Sequence, residues 1–148
     1  MTNEQRRLVR ETWLLCQPTL RQAGAQFYER LFALDPAARR LFAGADMAAL
    51  QRKLVGMLTE IVAQLDRPES LVPNVSALGR QHLHYGVKEA DYETAGAALL
   101  WTIEQGLGDS FTPAVREAWS EAYLLVATLM RRGAARTNSA STTRNLAP

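Results

Sequence analysis

The chain has 148 residues, enough for about one domain that buries roughly 70% of the surface its unfolded form exposes. Its 17 basic and 15 acidic residues give a net charge of +2, but Arg131, Arg132, Arg136 and Arg144 lie in a stretch without acids; the body therefore holds 13 basic against 15 acidic residues, a net of −2. That balance excludes a folded basic face for nucleic acid. The single cysteine, Cys16, excludes an internal disulfide and any cysteine-based zinc or iron–sulfur site within one chain; on an apolar helix face it is a core residue. No apolar run reaches the 18 or more residues of a membrane span, and no signal-peptide core follows the polar start, the pattern of a cytoplasmic chain.

Helix signals follow one another along the chain, and no strand signal interrupts them. Thr2 and Gln5 form a capping box for a first helix that ends before Pro18. A second helix covers residues 19–34. Asp35 caps a short helix with Pro36 at its favoured first position, and Gly44 breaks the chain. Asp46 caps a long helix to Leu65, with Leu50, Leu54, Met57, Leu58, Ile61 and Leu65 at helical spacing. Asp66, Arg67 and Pro68 make a turn. Residues 68–85, interrupted by Pro73, form a short helix and then a second one carrying His82, which Gly86 ends. A further helix runs over 89–106. Thr112 and Pro113 open the last one, with Val115, Trp119, Ala122, Val126 and Met130 on one stripe to about Arg132. The expected class is all-α, with seven to eight helices. Residues 133–148 are rich in Ser, Thr, Asn and Ala, cannot repay their ordering entropy, and are expected to form a disordered tail after a domain at 1–132.

The two histidines, His82 and His84, are two residues apart, about 200° around a helix, so they cannot face one metal ion together. One imidazole, an apolar helix able to face it, and Phe42 ahead of that helix are the parts of a haem pocket, since a single axial histidine is a standard way to hold haem iron. Each residue also has a plainer role open to it. A lone histidine is more often a core or surface residue, Phe42 fills any helical core, and Tyr28 could pack with its hydroxyl on a backbone carbonyl.

Four segments carry a resemblance: Phe27-Tyr28-Glu29-Arg30-Leu31-Phe32 running into Leu34-Asp35-Pro36 and Phe42; Arg52-Lys53-Leu54; Leu78-Gly79-Arg80-Gln81-His82 with Tyr85-Gly86-Val87; and Phe111-Thr112-Pro113 with Ala118-Trp119 and Tyr123. In this order and spacing, over residues 4–132, the chain resembles a globin, with the last two segments similar to neuroglobin and to single-domain bacterial globins related to flavohaemoglobins. The resemblance implies a globin fold around one haem b. It makes His82 the proximal iron ligand, Phe42 the ring stacked on the porphyrin, and Tyr28 the distal side chain that points at bound gas. Leu54 takes the place over the iron and Leu50 the gate position, which a one-residue shift would give to Gln51. Leu78 and Val87 become haem contacts, Tyr92 the proximal tyrosine, and Lys53 or Arg80 a cation near the propionates. The glutamate that completes the flavohaemoglobin proximal network falls at Ala134, so peroxidase-like chemistry is not expected.

The implied function is reversible binding of O2, NO and CO, with Tyr28 assisting NO dioxygenation. The chain is too short for the flavin and nicotinamide domains of a flavohaemoglobin, so the expected electron donor is an external reductase. An O2-binding or storage protein without turnover, and a gas or redox sensor acting through a partner protein, remain the alternatives. No nucleic-acid or membrane partner is expected, and the chain should be a monomer or weak homodimer. Without a distal histidine, a bis-histidyl iron is excluded.

Overall fold

A computed structural model describes residues 1–136 in full and, over 137–146, the backbone alone. Six α-helices and four short 3₁₀ segments account for nearly all of it, with no strand among the described residues. Helix α1 (Asn3–Cys16) opens on the expected box: the Thr2 hydroxyl accepts from Gln5 N at 3.0 Å, and Gln5 Oε1 accepts from Thr2 N at 2.9 Å. Val9, Thr12, Trp13 and Cys16 form its buried face. Burial pushes the Cys16 thiol up to about 11, which leaves it protonated and inert as a core residue. Pro18 sits in the 3₁₀ turn Gln17–Thr19. Helix α2 (Leu20–Leu34) buries Gly24, Phe27 and Leu31 on one face. Helix α3 (Met47–Ala63) starts where Asp46 accepts from Ala49 N at 3.2 Å.

Three expectations need correction. The short helices at 36–42 and 68–71 are 3₁₀ segments, because a stretch this short does not offset the cost of nucleating an α ladder; this reduces the expected seven or eight helices to six. Pro73 does not interrupt a helix but stands in the first turn of α4 (Val72–His84), where its missing N–H has no intrahelical partner to lose. Finally, α6 (Pro113–Leu146), which follows α5 (Glu89–Leu107), does not stop at Arg132. Gly133 is buried against the backbone of Ser76 on α4, so residues 133–136 belong to the folded helix and not to a disordered tail. Beyond residue 136 that expectation lies outside the fully described residues.

The first and last helices close the core. Trp13 and Trp119 meet with ring centroids 5.9 Å apart. Trp119 Nε1 donates to Thr12 Oγ1 at 2.9 Å, and that hydroxyl donates to the Leu8 carbonyl at 2.6 Å. Helices α2 and α3 cross at Gly24, where an added Cβ would lie 2.8 Å from Gln51 Cβ; only glycine permits that approach. The pairs α4 with α6 and α2 with α5 complete the packing. No helix among the described residues is long and apolar enough to cross a membrane.

Candidate functional site

His82 lies in the last turn of α4, half-buried. Its Nδ1 is 2.7 Å from the Leu78 carbonyl. A carbonyl can only accept, so Nδ1 carries the proton and Nε2 keeps its lone pair. Burial lowers the imidazole pKa, and the bond to Leu78 works the other way. The net result favours the neutral ring, which is the form that binds a metal ion. The backbone then turns sharply: Gly86 has φ +92°, and Val87 N donates to the His82 carbonyl at 3.0 Å. Lys88 N donates to Asp91 Oδ2 at 2.7 Å as α5 begins.

His82 lines a cavity of about 900 Å³ of atom-free space, including its open mouth. Leu54, Met57, Leu58 and Ile61 of α3 line one side. Leu78 and Val87 line it together with the imidazole, as do Tyr92, Ala95 and Leu99 of α5 and Trp119, Tyr123 and Met130 of α6. Among more than a dozen apolar lining side chains, the polar groups are His82, Asp91 and the polar tips of the tyrosines and Trp119. A broad apolar space with one neutral imidazole, whose free nitrogen is fixed by its partner's hydrogen bond, suits a flat apolar macrocycle with an axial ligand. No group of three or more His, Cys, Asp or Glu among the described residues offers another metal site.

The structure thus brings His82, Leu54, Leu78, Val87 and Tyr92 together. It places four other predicted residues outside the cavity lining. Tyr28 and Phe42 meet edge to face at 5.5 Å, with Phe32 5.4 Å from Phe42. They reach the cavity through Phe27, which lines it and meets Tyr28 edge-on at 5.0 Å. The Tyr28 hydroxyl makes no hydrogen bond among the described residues, and burial raises its pKa. Leu50 is half-buried, on the helical stripe that continues into Leu54 and Met57, while the Cβ of Gln51 is taken up by the crossing with Gly24. Lys53 and Arg80 are exposed, as is His84, whose ring meets Tyr85 at 5.9 Å.

Tyr92 lines the cavity but makes no hydrogen bond to His82 among the described residues. The Arg131 guanidinium lies 4.9 Å over its ring and pairs with Glu89 at 2.6 Å. The Tyr123 hydroxyl donates to the Tyr92 backbone carbonyl. Phe27, Ala95, Leu99 and Tyr123 are lining residues that sequence patterning did not single out. Phe27 was within reach, since it shares a helical face with Gly24 and Leu31. The α5 residues were not, because a helix buried on several sides carries no single apolar stripe, whereas Tyr123 follows Trp119 by four residues and so borders the stripe read on the last helix.

An all-helical chain with one imidazole presented to an apolar cavity has the architecture of a histidine-ligated haem protein. The globin family model matches residues 25–130, and the chain belongs to the globin family, with haem as its cofactor. It is 32% identical over 132 residues to a flavohemoprotein of Rhodopirellula baltica, covering 86% of this chain. The chain spans about a third of that relative, 32% of its length. A neuroglobin of Tetraodon nigroviridis is 28% identical over 146 residues, covering 90% of this chain and 92% of the relative. Among solved structures, a hexacoordinated heme protein from an anhydrobiotic tardigrade superposes with a TM-score of 0.82 at 18% identity, over 90% of this chain and 95% of the other; this bears on the fold alone.

Proposed function

We propose that His82 holds haem b through Nε2, that the chain binds O2, NO and CO reversibly, and that it converts NO to nitrate with O2 and an electron donor lying outside these 148 residues. The observation that carries this is the 2.7 Å bond from His82 Nδ1 to Leu78, which commits one ring nitrogen and leaves the other for iron. When bound, haem supplies the gas ligation and the redox chemistry. The protein supplies its setting. Leu54 and Leu58 keep the α3 side of the cavity apolar, and Leu50 extends that wall toward the gate. Burial keeps the Tyr28 phenol protonated at neutral pH, so it remains a donor for an electron-rich diatomic ligand. Phe42 packs edge-on against Tyr28 and would stack on the porphyrin when haem is bound. Lys53 is exposed on α3 and would supply a cation for a haem propionate. The chain works in the cytoplasm as a monomer or weak homodimer.

A second reading, O2 binding without turnover, has its own support. His82 donates to a neutral carbonyl, and no carboxylate stands at Ala134 to reach Tyr92 or His82. A neutral partner makes the imidazole a weaker electron donor than a carboxylate partner would. NO consumption by the reduced protein with a ferredoxin reductase, with and without O2, separates the two. O2-dependent consumption over many turnovers, with nitrate formed, supports dioxygenation; a single turnover supports storage.

A further inference from the structure

Helix α4, which carries His82, touches α6 backbone to backbone at two points. A Cβ built on Gly79 would lie 2.1 Å from the Met130 carbonyl oxygen and 2.7 Å from its carbonyl carbon and Cα. A Cβ on Gly133 would lie 2.3 Å from the Ser76 carbonyl oxygen. Both glycines, Met130 and Ser76 are buried. The neighbours are backbone atoms, which cannot swing aside as a flexible side chain does. Non-bonded heavy atoms meet at about 3.5 Å, so an alanine at either position must push the helices apart by roughly 1 Å.

His82 follows Gly79 by three residues and so shares its helix face. Met130, the residue that Gly79 touches, also lines the cavity beside His82. The spacing of α4 and α6 therefore fixes where the imidazole stands relative to the cavity wall. We propose that Gly79 and Gly133 are positioning residues for the haem ligand: by allowing this contact they set how far His82 reaches into the cavity. The proposal rests on His82 as the axial ligand. Gly133 lies beyond the helix end that sequence signals suggest, so the second contact exists only because α6 runs on.

The test compares Gly133→Ala and Gly79→Ala in the full-length haem-loaded protein, each alone and combined with His82→Gly plus imidazole. The readouts are the iron–histidine stretching frequency of the ferrous form and the rate of haem loss to a scavenging apoprotein. Disturbing the groups that orient a metal ligand typically costs about 10- to 100-fold in affinity, so haem loss should accelerate roughly ten- to a hundred-fold in either single variant, with a shifted stretching frequency. In the His82→Gly background the free imidazole finds its own position, so the added alanine should change neither readout. Equal acceleration in both backgrounds would overturn the proposal, as would an unchanged frequency in both single variants. Loss of folded apoprotein in both would also overturn it, because the contact would then hold the fold and not the ligand. A His82→Gly protein that keeps the native spectrum without imidazole would instead refute the ligand assignment itself.

Discussion

At the scale of single residues, the site depends on which nitrogen of His82 carries the proton, and the Leu78 carbonyl decides it. His82→Gly is expected to lose haem and to regain a five-coordinate ferrous spectrum with added imidazole, while His84→Ala retains native coordination, since that ring is exposed and meets only Tyr85. Optical spectra of the three proteins check this. Tyr28→Phe tests the distal donor. A hydrogen bond to a partly charged acceptor contributes about 1 to 2 kcal/mol, and about 1.4 kcal/mol is a factor of ten. O2 dissociation should therefore speed up roughly five- to thirty-fold, while CO dissociation changes much less because CO carries little charge. Stopped-flow displacement of O2 by CO gives the first rate. Equal changes for both gases would point to pocket shape, since Tyr28 is also a ring of the Phe27, Phe32 and Phe42 cluster.

At the scale of elements, the glycines separate local from tertiary requirements. Gly56 sits inside α3 with nothing within 4 Å of the Cβ that an alanine would add, whereas at Gly24 such an atom would strike Gln51. Gly56→Ala should stabilise the protein by about 0.4 to 1 kcal/mol through the unfolded chain and helix propensity. Gly24→Ala should destabilise it, since α2 and α3 must separate. Urea unfolding midpoints of the two variants should move in opposite directions. Helix starts were legible from the sequence because a cap acts within three residues: Thr2 with Gln5, Asp46 with Ala49, and Thr112 with Val115 all hold. Asp35 did not behave so and makes no side-chain cap, because the segment after it is 3₁₀.

At the scale of the whole molecule, chain closure rests on a long-range polar contact inside the core. Trp119 of α6 donates to Thr12 of α1, and Trp119 also lines the cavity that holds His82. Thr12→Val keeps the shape but leaves the indole N–H buried without an acceptor. The expected cost is about 1 to 3 kcal/mol, measured by urea denaturation. Because Trp119 is shared by the core and the cavity wall, haem loss should quicken in the same variant.

The sequence by itself determined the all-helical class, the order of the helices, most of their starts, and the presence of a single suitably placed imidazole in His82. Those features follow from caps, proline positions and apolar spacing, which act over a few residues of chain. The tertiary structure alone decided that Tyr92 lines the cavity without bonding His82, that Arg131 covers the Tyr92 ring, and that Tyr28 and Phe42 pack on each other beside the cavity. It also decided that α6 continues past Arg132, because Gly133 finds the backbone of Ser76. Distances between helices depend on which side chains are absent at their crossings, and a glycine in the sequence does not say which backbone will come to meet it.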